Sequence, residues 1–254
     1  MGGPATLLLL FDIDGTLLQS GRAATKAINA VFRRRYAVEN AMDGVAAAGR
    51  TDPAILRDMF LHNLGREYTP QEAASVFEEY VAELERELER ESSLWVLPGV
   101  ERLLRGLAAA PGVVLGLATG NVEPGAWIKL RAAGLDGYFR FGGFGSDCPV
   151  RSGLVRTAIR RAAERLEESG RTITRVVVVG DTTHDIVHGR AAGAEVAAVA
   201  TGAHSARELA RCGPDHLFPD LSDTEAFVKA LRIPDCGGYD APYTTRLRTE
   251  TSRS

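Results

Sequence analysis

Two carboxylates two residues apart close the first apolar run of the chain, in Phe11-Asp12-Ile13-Asp14-Gly15-Thr16-Leu17. Buried without a partner, each would cost several kcal/mol, so a pair at such a place calls for a cation. The plain alternative is a solvated turn, since Asp-Gly-Thr is good turn chemistry. Another run ends in Gly180-Asp181-Thr182-Thr183-His184-Asp185, with carboxylates four apart. If a helix starts at Thr182 or Thr183, both lie near its N-terminus, where an N-cap and an acidic first turn account for one carboxylate well and two less well. A third run ends in Ala118-Thr119-Gly120-Asn121, whose hydroxyl and following amides make a small anion cradle; a simple turn is the competing explanation. Hard oxygen donors of this kind select Mg²⁺ bridging to a phosphate, and a carboxylate needs no base to act as a nucleophile. Together these groups suit phosphoryl transfer.

The groups converge only if their strands are neighbours. Four short continuous apolar runs, Thr6–Phe11, Val113–Ala118, Arg175–Val179 and Glu195–Val199, read as strands buried on both faces of a parallel sheet. Helical periodicity separates them over Arg102–Ala109, Ala126–Ala133 and Leu154–Leu166, which predicts an α/β fold with a doubly wound parallel sheet. Strand order 3-2-1-4-5 places the first strand between those that carry Thr119 and Asp181, at a topological switch point. From about Gly21 to Leu94 no strand is expected, and three helices are: Ala24–Tyr36, Asp52–Leu64 with Asp52 as its N-cap, and Pro70–Glu91 with a solvated acidic face. The expected division is a core of residues 1–18 and 96–234, a helical cap of residues 19–95 and a disordered tail of residues 235–254.

Composition narrows the function classes. The 254 residues are 45% hydrophobic and 25% charged, as in ordinary globular proteins. A net charge of -3 argues against nucleic acid as the main partner, and no apolar run suits a membrane span. Cys148, Cys212 and Cys236 have no C-x-x-C spacing, which fits a reducing cytoplasm. Of 30 basic residues only Lys26, Lys129 and Lys229 are lysine, an excess of arginine that codon usage explains and that matters at one position.

D-x-D-G-T, Thr-Gly-Asn and G-D-x-x-x-D, in this order and at these spacings, resemble the motifs of the haloacid dehalogenase-like hydrolase superfamily. The helical insert resembles its C1-type cap, and Leu97-Pro98-Gly99-Val100 resembles the usual return into the core, as in the phosphoglycolate phosphatase-like branch. By that resemblance Asp12 is the nucleophile, and Asp14 is the acid that protonates the leaving oxygen and then the base that activates water. Mg²⁺ is held by Asp12, the carbonyl of Asp14, Asp181 and Asp185, and Thr119, Gly120 and Asn121 hold the phosphate. Asp14 also favours a phosphate ester, because dehalogenase and phosphonatase members lack an acid there. The chain departs from the family where a lysine is usual: Phe144-Gly-Ser-Asp-Cys-Pro-Val-Arg-Ser has none, and Arg151 is the nearest cation. Lys129 fits a surface position better by its helical pattern. Arg50, in Gly49-Arg50-Thr51-Asp52, is a candidate for a substrate carboxylate or second phosphate. His184 is a candidate for the substrate rim, and Trp95 and Trp127 read as packing residues.

The implied activity is a Mg²⁺-dependent phosphatase of a small phosphorylated metabolite, acting through an aspartyl phosphate in a cytoplasmic monomer or homodimer. A phosphomutase with the same intermediate and a non-catalytic phosphate-binding protein are the alternatives.

Overall fold

The computed structural model describes residues 5–90 and 94–234. The expected tail, Cys236 and the last residue of the expected third cap helix, Glu91, lie outside them. Strand β1 (Ala5–Phe11) leads through β2 (Leu18–Gln19) into helices α1 (Ala23–Tyr36), α2 (Asp52–Leu64) and α3 (Pro70–Arg90). The chain returns through β3 (Trp95–Val96) to α4 (Val100–Ala109), β4 (Val113–Ala118), α5 (Glu123–Ala132), β5 (Gly142–Gly143) and α6 (Arg151–Glu167). It continues with β6 (Thr172–Gly180), α7 (Thr183–Ala191), β7 (Glu195–Val199), α8 (Ala206–Arg211), β8 (His216–Phe218) and α9 (Thr224–Ala230).

Six strands form a parallel sheet in the order β5-β4-β1-β6-β7-β8. This is the expected 3-2-1-4-5 arrangement with β8 added at one edge. The third strand of that order, β5, is only Gly142–Gly143, too short to leave an apolar run. In β1, Leu8, Leu9, Leu10 and Phe11 are all fully buried, which explains the unbroken apolar spelling. Leu9 and Phe11 face a cluster with Leu103, Leu104, Leu107 and Phe139 on one side, while Leu8 and Leu10 face Leu154, Val155 and Ala158 on the other. Phe11 is in register with Leu117 of β4 and Val179 of β6. The three strands therefore end level, and Asp12, Thr119 and Asp181 follow within two residues.

The insert after β1 is helical as expected. Its two connections pair with each other as a short antiparallel ribbon, Leu18 with Val96 and Gln19 with Trp95, which the apolar pattern did not signal. A separate cluster joins Val31 and Phe32 of α1, Met59 and Phe60 of α2 and Val76, Tyr80 and Leu84 of α3. It also takes in Val122 and Ile128, so core helix α5 packs under the cap. The acidic face of α3 is less solvated than expected. Glu83 is buried and receives Arg34 of α1 at 3.2 Å and Arg86 at 2.8 Å. Trp127 does pack, 6.0 Å from Phe144 between ring centres, whereas Trp95 is 52% exposed because the ribbon it sits in lies outside the sheet.

Candidate active site

Asp12 continues the ladder by donating its amide to Val179 O at 2.9 Å, and the chain then turns sharply, with Leu17 N donating to Ile13 O at 2.9 Å. Gly15 makes that turn possible: its φ is +82°, and a Cβ there would sit 2.5 Å from Asp181 Oδ2. The turn brings Asp12 and Asp14 to one cavity of about 300 Å³ with Thr119, Gly120, Asn121, Arg151 and Asp181.

Asp12, Asp181 and Asp185 gather carboxylate oxygens within 4.8 Å of one another. All three are buried. Burial raises the Asp12 carboxyl to about 6, with Arg151 opposing and Asp185 and Asp14 adding to the rise. Burial, then Asp185 and Asp12, push Asp181 up to about 8, although Thr16 donates to Asp181 Oδ1 at 3.0 Å. Once fully ionised, the three carboxylates against the single guanidinium of Arg151 carry a net charge of two negatives, the complement of a divalent cation with hard oxygen preference.

Asp185 also has a structural task. Thr182 is the N-cap of α7 and Asp185 its third residue, and each side chain caps the other's amide. Asp185 Oδ2 accepts from the Thr182 amide at 2.9 Å and hydroxyl at 2.7 Å, while Oδ1 accepts from Arg151 Nε at 3.0 Å and Nη2 at 2.6 Å. Arg151 opens α6, and its Nη2 also reaches Asp12 Oδ2 at 2.7 Å while Nη1 donates to Gly49 O at 3.2 Å. The planar fork thus joins Asp12, α7 and the cap loop, a reach that a point charge lacks.

Lys129 is not on the surface. It is 3% exposed, and Nζ donates to both Asp14 oxygens at 2.8 and 2.7 Å and to Asn121 Oδ1 at 2.7 Å. The surface expectation assumed water on one side of α5, but this helix lies between core and cap, with Ala126 and Leu130 in one apolar cluster and Ile128 in the other. Asp14 also accepts from Asn121 Nδ2 at 2.8 Å and Ser20 Oγ at 3.2 Å. Its side chain remains 38% exposed toward the cavity it lines. Burial works to raise this carboxyl, but the Lys129 charge and the three donors outweigh it and hold Asp14 below the usual carboxylate range. Thr119 is fully buried, and its hydroxyl accepts from Asn121 Nδ2 at 2.8 Å and from the Asn121 amide at 3.3 Å.

The cap loop is docked on this site. Asp52 N donates to Gly120 O at 2.8 Å, Asp52 Oδ2 accepts from Val122 N at 2.8 Å, and Thr51 Oγ1 donates to Pro149 O at 3.0 Å. The N-cap of α2 is therefore Thr51, which accepts from Ala54 N, and Asp52 is freed to bridge to the core. Burial raises the Asp52 carboxyl to about 6, with Lys129 and the Val122 hydrogen bond opposing. Arg50 lines the same cavity, but its guanidinium is paired with Asp58 of α2 and donates to Ala54 O at 3.4 Å. His184 does not line the cavity; it stacks on His188 at 5.9 Å.

A family model described as haloacid dehalogenase-like hydrolase matches residues 6–193. The chain belongs to this family. Among curated relatives of this hydrolase, "Probable phosphatase IndB" of Dickeya dadantii is 26% identical over 88% of this chain and 94% of its own length. The phosphoglycolate phosphatase of Yersinia pestis is 27% identical over 88% of this chain and 92% of its own. A solved structure described as a predicted phosphoglycolate phosphatase from Haemophilus somnus superposes with a TM-score of 0.63 at 21% identity, covering 87% of this chain and 97% of that one. CbbY from Rhodobacter sphaeroides superposes with a TM-score of 0.58 at 19% identity, covering 85% and 95%. These two show likeness of fold. Among the described residues of the hydrolase, no helix is long and apolar enough to cross a membrane.

Sequence reasoning assigns no role to Ser20, takes Thr16 only as part of the D-x-D-G-T motif, and weighs Lys129 but sets it on the surface. Ser20 and Thr16 flank the D-x-D motif closely enough to be suspected; Lys129 had a signal only in being one of three lysines.

Proposed function

We propose that the chain is a Mg²⁺-dependent phosphatase that hydrolyses the phosphate monoester of a small metabolite through a phosphorylated Asp12. The observation that carries this most is the cluster of Asp12, the proposed nucleophile, with Asp181 and Asp185, whose excess charge calls for a divalent cation. Asp12, Asp181, Asp185 and the Asp14 carbonyl would hold Mg²⁺, which when bound supplies charge neutralisation for the phosphate and nucleophile. Arg151 adds the fixed positive charge that the family usually takes from lysine. Thr119, Gly120 and Asn121 cradle the transferred phosphoryl group.

In the first half, an Asp12 oxygen forms a bond to phosphorus as the ester P–O bond breaks, and the leaving alkoxide takes the proton of Asp14. In the second half, water gives its proton to the Asp14 carboxylate and its oxygen bonds to phosphorus. Asp12 leaves as the carboxylate and phosphate is released, so the protein returns to its starting state. Lys129 favours the carboxylate of Asp14, the form the second half uses. A phosphate dianion arriving beside Asp14 opposes Lys129 and favours the acid form the first half uses. The docked cap keeps bulk water from the acyl phosphate.

A panel of phosphate monoesters assayed for phosphate release with and without Mg²⁺ tests the proposal. Transfer to a second hydroxyl faster than phosphate release would instead make the chain a mutase, and the absence of turnover across the panel would make it a non-catalytic phosphate binder.

A further inference from the structure

A second cavity lies in the cap beside the first. It holds about 100 Å³, and its walls are mainly apolar: Ile28 of α1, Met42, Ile55, Leu56 and Met59 of α2 and its approach, and Phe77 of α3. Ala24, Ala47, Asp52, Ile55 and Tyr80 line both cavities, so the two adjoin along these residues. Protein interiors are close-packed, and apolar cavities of about 150 Å³ accept a ring the size of benzene. The space is smaller than that, on the scale of a branched alkyl group or, together with the adjoining part of the first cavity, a small ring, and it lies next to the cavity that holds the carboxylates.

The charges at the junction point the same way. The cations lining the phosphate cavity already have partners: Arg151 has Asp12 and Asp185, Lys129 has Asp14, and Arg50 has Asp58. A second anionic group on the substrate would meet the Asp52 carboxylate and the hydroxyl of Tyr80, with no further cation among the residues that line either cavity. An apolar group, by contrast, gains by leaving water for Ile28, Leu56 and Met59.

Resting on the phosphatase reading, we infer that the ester hydrolysed here has an uncharged leaving group with an apolar ring or branch that enters the cap cavity. Small dianionic esters with a second acid, such as phosphoglycolate, are then poor substrates.

The test compares kcat/KM, with Mg²⁺ and wild-type protein, for benzyl phosphate and 2-phosphoglycolate, and repeats the comparison in Ala47→Leu and Ala24→Leu, which add bulk where the cavities adjoin. Single methylene groups in apolar pockets change kcat/KM by about 10-fold or more. Benzyl phosphate should be preferred by at least about 10-fold in the wild type, and the ratio should fall toward one in both variants. A ratio is insensitive to the fraction of folded protein. Phosphoglycolate turned over as well as or better than benzyl phosphate, or a benzyl preference unchanged in the variants, would overturn the inference and leave the phosphatase reading standing. Failure to release phosphate from either ester would overturn both.

Discussion

In the proposed mechanism Asp14 gives a proton to a leaving alkoxide and then takes one from water, while Lys129 sits on both of its oxygens. Asp14→Asn removes both the acid and the base, so the shared second half slows for every ester, but the first-turnover release of the leaving group should fall by about 10²–10⁴-fold for alkyl phosphates and far less for p-nitrophenyl phosphate, whose leaving group needs no proton. Single-turnover measurements of leaving-group release on the two substrate types check this; equal losses on both in that step would remove Asp14 from the acid role. Lys129→Met takes away the ammonium that orients Asp14 and Asn121, and kcat should drop by about 10-fold or more with KM changed little. At Arg151 the fork matters as well as the charge. Arg151→Met leaves Asp12 and Asp185 buried without their counter-charge, which costs about 3–5 kcal/mol and is read directly by denaturant unfolding.

At the scale of elements, β1, β4 and β6 end level, and that alone brings Asp12, Thr119 and Asp181 together. These three were legible because each follows an unbroken apolar run, and a strand buried on both faces must stop where charge begins. What could not be read was the environment of α5. Its Lys129 looks like a surface residue until the cap covers it, and no local pattern announces that an inserted unit folds back over a particular helix. The same limit hid the bridging role of Asp52, whose position just after Thr51 resembles an ordinary helix start. The docking of the cap loop can be tested at Gly120, where a Cβ would meet Arg50 O at 2.3 Å. Gly120→Val should push the loop off the core, raising KM several-fold while the sheet remains intact. Limited proteolysis within residues 45–51 should become faster, and unchanged cleavage would contradict the docking.

Over the whole molecule, the cluster of negative charge links metal, pH and stability. Asp12 at about 6 and Asp181 at about 8 both lie above the value of about 4 that an unfolded Asp has. The folded protein therefore binds protons that the unfolded chain has released, and without metal its stability is greatest below about pH 4 from these groups and declines as pH rises through about 6 and about 8. If Mg²⁺ binds here as proposed, it replaces those protons, so the Tm gain it gives should be larger at about pH 8 than at about pH 5. An equal gain at both would mean that the carboxylates are not its ligands. The most direct test of the proposed activity is phosphate release from p-nitrophenyl phosphate by wild-type protein and by Asp12→Asn. Wild-type turnover should require Mg²⁺, and the variant should lose on the order of 10⁴-fold or more, as expected when a covalent nucleophile is removed. Full Mg²⁺-dependent turnover by Asp12→Asn would show that Asp12 is not the nucleophile.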